Sequence, residues 1–222
     1  MYRVIIPALV SLLLTGCGMA SYSLTANLAP SSGQPTPKAS RDYQTGSLDP
    51  SAKRLAKADD KAPKGTFEKA AQGALADRDY SATRLDAEKA RELINAYRRE
   101  KGLRPLKLQP ALTEAAAAHS GDLAKWDRIS HFGSDGSNPW DRTKRAGYNA
   151  KLAAENVGTG QASIEEVMKG WQASPGHNKN LLIPDAEHMG IALVQDSKTE
   201  FKTFWTLVIG SQRQGGTAAL SQ

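Results

Sequence analysis

Two histidines and one glutamate are the residues of this 222-residue chain whose types and surroundings suit chemistry. His177 follows the helix-breaking pair Pro175-Gly176, so we expect it on a turn or in the loop after one. His131 lies in a polar loop, and Glu155 lies in an otherwise apolar run, where a carboxylate must be solvated or paired. The three residues come from separate segments. Only folding can bring them into one site.

Each of these residues also has a purely structural interpretation. His131 could simply be solvated, Glu155 could accept backbone N–H bonds, and His177 could cap the carbonyls of the preceding helix. His119 falls on the apolar stripe of a predicted helix, so we expect it in the core. His188 stands beside a predicted strand start, and we expect it at the surface.

Two neutral imidazoles and one carboxylate form a set that suits Zn²⁺ or another divalent cation with one coordination position open. On this hypothesis His131 and His177 are the metal ligands, and Glu155 is the general base of a metal-assisted hydrolase. The spacing does not support the hypothesis, since the chain has no His-Glu-x-x-His motif. There is no Gly-x-Ser-x-Gly elbow either, and the one cysteine, Cys17, is far from the candidate residues.

The composition is that of a soluble globular protein, with 40% hydrophobic and 23% charged residues. The formal charge of +6 favours contact with anionic surfaces such as phospholipid head groups or acidic envelope polymers. The periodic part of the chain contains no basic cluster interleaved with aromatic residues. We therefore expect no nucleic acid among the partners.

The N-terminus is typical of an exported protein. The apolar run from Val4 to Leu14 is too short to span a bilayer and indicates a signal peptide over residues 1–16. The following Leu14-Thr15-Gly16-Cys17 resembles the bacterial lipoprotein signal, which implies that Cys17 is lipidated and that the membrane is a partner through this lipid. Gly18, rather than an aspartate after the cysteine, favours the outer membrane if the cell is Gram-negative.

The rest of the chain divides by composition. Residues 17–64 are rich in Pro, Ser, Ala and Lys without hydrophobic periodicity, so they predict a disordered tether after the lipidated cysteine. Residues 65–85 carry a weakly helical pattern and are interpreted as a bridging segment. We expect one folded domain over residues 86–212 and a disordered tail over residues 213–222.

Within the predicted domain, helix signals come first and strand signals gather late. Helices are predicted to begin after Asp86, at Pro110, at Asn138-Pro139 and after Ser163. Strands are predicted over residues 153–157, 189–194 and 201–209. This order predicts an α+β fold with helices packed on a small antiparallel sheet.

Seven short motifs, in one order along the chain, carry a resemblance to a known family. They are residues 115–124, Ser130-His131, residues 145–148, residues 154–157, Trp171 to Asn180, residues 189–192 and Phe204-Trp205-Thr206. Together they cover roughly residues 86–211 and resemble the CAP superfamily (cysteine-rich secretory proteins, antigen 5 and pathogenesis-related 1 proteins), in its bacterial branch.

The resemblance implies an α-β-α sandwich with a central cavity of two histidines and acidic residues, which can hold a divalent metal, often zinc. The histidines fall on His131 and His177 and the first acid on Glu155, while Ser174 stands where the eukaryotic pattern has a second acid. The expected function is that of a lipid-anchored envelope protein that binds a lipid, peptide or envelope ligand in this cavity. A metal-assisted hydrolase of peptides or wall fragments is the alternative, and a purely structural module is a third.

Overall fold

The computed structural model describes residues 60–213. The predictions for the signal peptide, for Cys17, for most of the tether and for the tail beyond residue 213 lie outside the described residues. The helices are α1 (Ala87–Glu100), α2 (Pro110–Trp126), α3 (Pro139–Arg145), α4 (Ile164–Ala173) and α5 (Pro175–Leu181). The strands are β1 (Phe67–Glu68), β2 (Lys107–Leu108), β3 (Ile129–Ser130), β4 (Ala150–Thr159), β5 (His188–Gln195) and β6 (Thr203–Gln212).

The main sheet has four strands in the order β2-β5-β6-β4. The long strands β4, β5 and β6 pair antiparallel, and the short β2 joins β5 in parallel. In β6, Leu207 and Ile209 pack in one hydrophobic cluster and Val208 packs in another, because successive side chains of a strand point to opposite faces. Both faces of the sheet are therefore covered.

The two clusters define the layers of the fold. One face packs against α1, α4 and α5, through residues such as Ile94, Trp171 and Leu181. The other face packs against α2, through Leu112 and Ala116. Two helical layers with a sheet between them make an α-β-α sandwich, which confirms the predicted fold class.

Close packing of α2 on the sheet requires a glycine in β5. A Cβ placed on Gly190 would lie 2.1 Å from the backbone of Leu112 and of Thr113. Only a residue without a side chain permits this approach. The contact sets the distance between α2 and the sheet. It thereby also sets how close His119, which is on α2, lies to the sheet.

All four predicted helix starts are confirmed. Asp86 caps α1, Pro110 is the first residue of α2, and Asn138 forms a capping box with Asp141 at the start of α3. Ser163 accepts a hydrogen bond from the Glu166 backbone and so caps α4.

Residues 65–85, interpreted as a bridging segment, form turns and the short strand β1. Two predictions about local structure are wrong. The last strand ends at Gln212, because Gly210 stays within the β6 ladder opposite Ala153 and His188. The segment after Ser174 is the helix α5 rather than a loop, because Pro175 stands at its first position, where the missing N–H costs nothing.

No helix within residues 60–213 combines the length and the hydrophobicity that a membrane crossing requires.

Candidate functional site

Glu155 lies in the middle of β4 and is 1% exposed. Its two carboxylate oxygens accept hydrogen bonds from two side chains and lie near a third. Its Oε2 accepts a hydrogen bond from Arg142 Nη2 at 2.6 Å. Its Oε1 accepts one from His131 Nδ1 at 2.9 Å and lies 3.5 Å from His119 Nε2. We call Glu155, Arg142, His131 and His119 the glutamate cluster.

Arg142 is held in the glutamate cluster by backbone carbonyls as well as by the carboxylate. Its Nη1 donates to the Ser137 carbonyl at 2.9 Å, and its Nη2 donates to the His131 carbonyl at 3.0 Å. Arg142 is on α3, whose first turn is fixed by the Asn138 capping box. The cap thereby directs a guanidinium onto Glu155 and onto the loop that carries His131.

His119 comes to the glutamate cluster from α2 and is fully buried, as predicted for a core histidine. Its Nε2 donates to the Ser130 carbonyl at 2.9 Å, so this nitrogen carries the proton. Its Nδ1 has no hydrogen-bond partner among the described residues. Sequence reasoning placed His119 in the core but missed its contact with Glu155.

The pKa values in the glutamate cluster follow from burial and from the guanidinium. Burial raises the pKa of Glu155, but Arg142, His119 and His131 outweigh it, so that this pKa lies well below its usual range. Burial, with Arg142 nearby, lowers the pKa of His119 to about 3. At neutral pH Glu155 is therefore ionised beside a charged Arg142, and His119 is neutral.

His177 lies in the first turn of α5 and is 3% exposed. Its carbonyl accepts a hydrogen bond from Asn156 Nδ2 at 3.1 Å. Asn180, one turn later, donates to the Glu155 carbonyl at 3.0 Å and to Asn156 Oδ1 at 2.9 Å. These bonds attach α5 to β4 and fix the position of the His177 ring.

The His177 ring itself has an unsatisfied nitrogen. Its Nδ1 is buried and has no hydrogen-bond partner within residues 60–213. Burial first, and the nearby His131 second, lower the pKa of His177 to about 4, so the ring is neutral at neutral pH. A neutral, buried and unpaired ring nitrogen is costly unless a ligand satisfies it.

His177 borders a cleft of about 660 Å³. Ser174 and Trp171 line it with His177, and most of the other lining side chains are apolar, among them Val157 and Phe201. Trp171 is anchored by a hydrogen bond from its Nε1 to the Val157 carbonyl at 3.2 Å.

The four predicted cavity residues thus lie in two adjoining places. Ser174 and His177 line the cleft, whereas Glu155 and His131 belong to the glutamate cluster and are not among the cleft residues. His131 contributes to the lowered pKa of His177, so the two imidazoles lie near each other, one in the glutamate cluster and one at the cleft. Ser174, which ends α4 and precedes α5, makes no side-chain cap there.

The described residues do not fit a metal site with three protein ligands. Among residues 60–213, no group of three or more His, Cys, Asp or Glu side chains is arranged to hold a metal ion. The physical reason is visible at Glu155, because Arg142 covers one carboxylate oxygen and His131 the other. A cation that approached Glu155 would also meet the positive charge of Arg142.

Comparison with known proteins agrees with this fold and these motifs. Residues 91–209 match the family described as "CAP: Cysteine-rich secretory protein family". This match covers more than half of the chain, and the chain belongs to this family.

Individual relatives are bacterial. The chain is 36% identical over 115 residues to an uncharacterized protein of Bacillus subtilis, YkwD, covering 52% of this chain and 43% of that protein. A membrane protein of the same organism, YlbC, also uncharacterized, is 28% identical over 102 residues, which are 46% of this chain and 30% of that protein. The chain therefore spans less than half the length of these relatives.

Two solved structures share the fold. An extracellular protein containing a SCP domain from Bacillus anthracis matches with a TM-score of 0.50 and 24% identity, over 56% of this chain and 40% of that one. An outer surface protein of Borrelia burgdorferi matches with a TM-score of 0.52 and 19% identity, over 58% of this chain and 97% of that one.

Proposed function

We propose that this protein acts by binding a neutral, largely apolar ligand in the cleft beside His177. The observation that carries the proposal is the buried Nδ1 of His177, which has no partner within residues 60–213 and belongs to a side chain that lines a cleft of about 660 Å³. That volume falls within the range of about 300–1,000 Å³ common for small-molecule sites. A ligand with one hydrogen-bonding group near the ring would satisfy the nitrogen.

The chemistry of the cleft beside His177 favours a neutral group on the ligand. His177 is uncharged at neutral pH, because burial lowers its pKa, so it offers no positive charge to an anion. The apolar lining favours a hydrocarbon or an apolar side chain. A lipid, an apolar peptide segment or an envelope component that carries such a group all meet these requirements.

A hydrolase is the second candidate, and the state of Glu155 argues against it. A general base needs a pKa near the working pH and a free oxygen toward its substrate. Glu155 has a lowered pKa, and both of its oxygens already accept hydrogen bonds. Neither condition is met in this arrangement, so binding is the better supported function.

A divalent metal would have to bind His131 and His177 without Glu155. His131 already gives its Nδ1 to Glu155, so this nitrogen is occupied. Two imidazoles near a guanidinium make a weak site, so we expect calorimetric titration of the full chain with Zn²⁺ at pH 7 to show no saturable binding at micromolar metal. Tight, stoichiometric binding that is lost in His177→Ala would instead support the hydrolase.

We further propose that the binding domain works in the cell envelope, attached to the membrane through a lipid on Cys17. The lipoprotein-like Leu14-Thr15-Gly16-Cys17 supports the attachment, and Gly18 favours the outer membrane in a Gram-negative cell. The structural relatives, one an extracellular protein and one an outer surface protein, support an envelope location. Metabolic labelling with palmitate tests the attachment, and we expect the label to be lost in Cys17→Ser.

The binding proposal is tested with the neutral, environment-sensitive dye Prodan. We expect the full chain to bind it and His177→Phe to weaken the binding about tenfold, because the substitution removes one buried hydrogen bond worth about 1 kcal/mol and narrows the cleft. His188→Phe is the matched control, since His188 does not line the cleft and pairs instead with the Tyr148 hydroxyl. Equal dye affinity in the wild type and in His177→Phe would contradict the proposal.

A further inference from the structure

The outer wall of the cleft is built by a segment that lies outside the family match. Residues Thr66–Tyr80, here called the strap, precede the matched residues 91–209. The strap contributes Glu68, Lys69, Ala70, Ala71, Ala74 and Leu75 to the cleft lining, opposite His177 and Trp171. The cleft is therefore bounded in part by residues outside the matched range.

Two strap side chains reach the hydrophobic interior. Ala70 and Leu75 pack against the cluster that includes Val157, Phe201 and Phe204. Leu75 lies directly over Gly160, since a Cβ placed on that glycine would be 2.6 Å from Leu75 Cδ1. Leu75 is thus the largest apolar strap side chain at the cleft, and it limits the width of the cleft on this side.

The strap is well anchored near its first residues. The Ser130 hydroxyl donates to the Thr66 carbonyl at 2.7 Å, and Phe67 pairs with Ser130 in the β1–β3 ladder. The buried Arg128 guanidinium lies 5.0 Å from the centre of the Phe67 ring. Backbone pairing and a cation–π contact together fix this end.

The other end is anchored to α4 and to the loop before it. Arg78 Nη2 donates to both carboxylate oxygens of Glu166, at 2.8 and 2.7 Å. The Tyr80 hydroxyl donates to the Gly160 carbonyl at 2.9 Å. Glu166 also accepts from the Ala162 amide, so the strap is attached to the start of α4.

Between these anchors the strap is held lightly. The Gly73 amide donates to the exposed Glu200 Oε2 at 2.7 Å, and the other backbone bonds of this stretch are turns within the strap, such as Ala74 to Ala71. Residues 71–74 are exposed. Few buried contacts and solvent-exposed hydrogen bonds are the features of a segment that opens locally without global unfolding.

We propose that the strap is a movable selectivity wall for the cleft, in which Leu75 determines how wide a ligand can enter. The proposal rests on the proposed binding function of the same cleft. Slender neutral ligands fit between Leu75 and Trp171, and wider ones enter only when the middle of the strap lifts. The matched residues 91–209 supply His177, and the strap, which precedes them, supplies the size limit.

The first test compares two neutral dyes of different width, the slender Prodan and the wider Nile red, on the full chain. We expect Leu75→Ala to raise the affinity for Nile red relative to Prodan by about fivefold, because it removes apolar bulk from the wall. Leu75→Trp should lower the same ratio. Asp77→Ala, an exposed strap position outside the cleft lining, is the control and should leave the ratio unchanged.

A ratio that stays within about twofold of wild type in both Leu75 variants, while both dyes still bind, would overturn the selectivity wall. The proposed function fails in a different way: Prodan then binds equally well to wild type and to His177→Phe.

The second test needs no ligand. Hydrogen exchange of the full chain should show the Gly73 and Ala74 amides exchanging far faster than those of β6, and at a rate that does not follow global unfolding. Protection of these strap amides equal to that of β6 would overturn the movable wall even if both dyes bind.

Discussion

The glutamate cluster and the cleft present histidines in opposite circumstances. In the glutamate cluster, the ionised Glu155 pairs with Arg142 and His131. At the cleft, His177 is also buried, but its Nδ1 has no partner within the described residues. Histidines within one small region can therefore have different roles: some stabilise the fold, and another is available to a ligand.

The physical basis of the division is where the charge lies. The carboxylate of the glutamate cluster is stable in the interior only because a guanidinium and two imidazoles offset its desolvation. Removing a partner of this carboxylate costs stability, and both of its oxygens already accept hydrogen bonds, so neither is free for a substrate. The His177 edge carries no charge at neutral pH, so an incoming ligand displaces no ion pair there.

The largest expected effect comes from breaking the glutamate cluster. Arg142→Met should lower the free energy of unfolding by about 3–5 kcal/mol, because it leaves the buried Glu155 without its counter-charge. Urea denaturation at pH 7 measures the change. Arg145→Met is the matched control on the same helix, since Arg145 pairs with Asp135 at the surface and should contribute about 0–1 kcal/mol.

Similar losses of unfolding free energy in Arg142→Met and Arg145→Met would contradict a stabilising role of the glutamate cluster.

The pH dependence of stability is expected to be the next largest effect. The pKa of His177 is lowered to about 4 and that of His119 to about 3. Below pH 6.5 these two histidines therefore become protonated in the unfolded chain while they stay neutral in the folded chain. Their stabilisation is complete above pH 6.5 and is lost as the pH falls toward 4 and then 3. Glu155 adds to the loss below about pH 4.5, since its pKa is also lowered.

Each such histidine can contribute a slope of up to about 1.4 kcal/mol per pH unit in that window. Urea denaturation of wild type and His177→Phe between pH 7 and pH 4 separates the contribution of His177. We expect the slope to be shallower in the variant by up to this amount, and parallel curves would contradict the buried neutral state of His177.

Much of the fold and one residue of the glutamate cluster could be predicted from the sequence, because local patterns indicate them. Glu155 stood out as a carboxylate in an apolar run, and the caps at Asp86, Pro110 and Asn138 gave the starts of three helices. The apolar run at residues 189–194 and the β-branched and aromatic residues at 201–209 predicted two strands, which the structure confirms as β5 and β6.

The rest depends on tertiary contacts that no local pattern reports. Arg142 stands among Asp141, Thr143, Lys144 and Arg145, and nothing in that run distinguishes the buried arginine from the exposed ones. Only the docking of α3 beside β4 directs it onto Glu155. The capping box was the one available signal, because it marks where α3 begins.

Two further misses have the same origin. Pro175 and Gly176 were interpreted as helix breakers, yet a proline that ends one helix can begin the next, and α5 starts at Pro175. The strap has little apolar periodicity, and its role depends on Leu75 meeting Gly160, a contact between residues far apart in sequence.

The most direct measurement follows the ring nitrogens of the four histidines by ¹⁵N NMR while Prodan is added to the full chain at pH 7. The division between glutamate cluster and cleft predicts a saturable shift at His177 and unchanged signals from His119, whose Nε2 proton stays on the Ser130 carbonyl. A shift at His119 as large as that at His177, or saturable dye binding without any shift at His177, would contradict it.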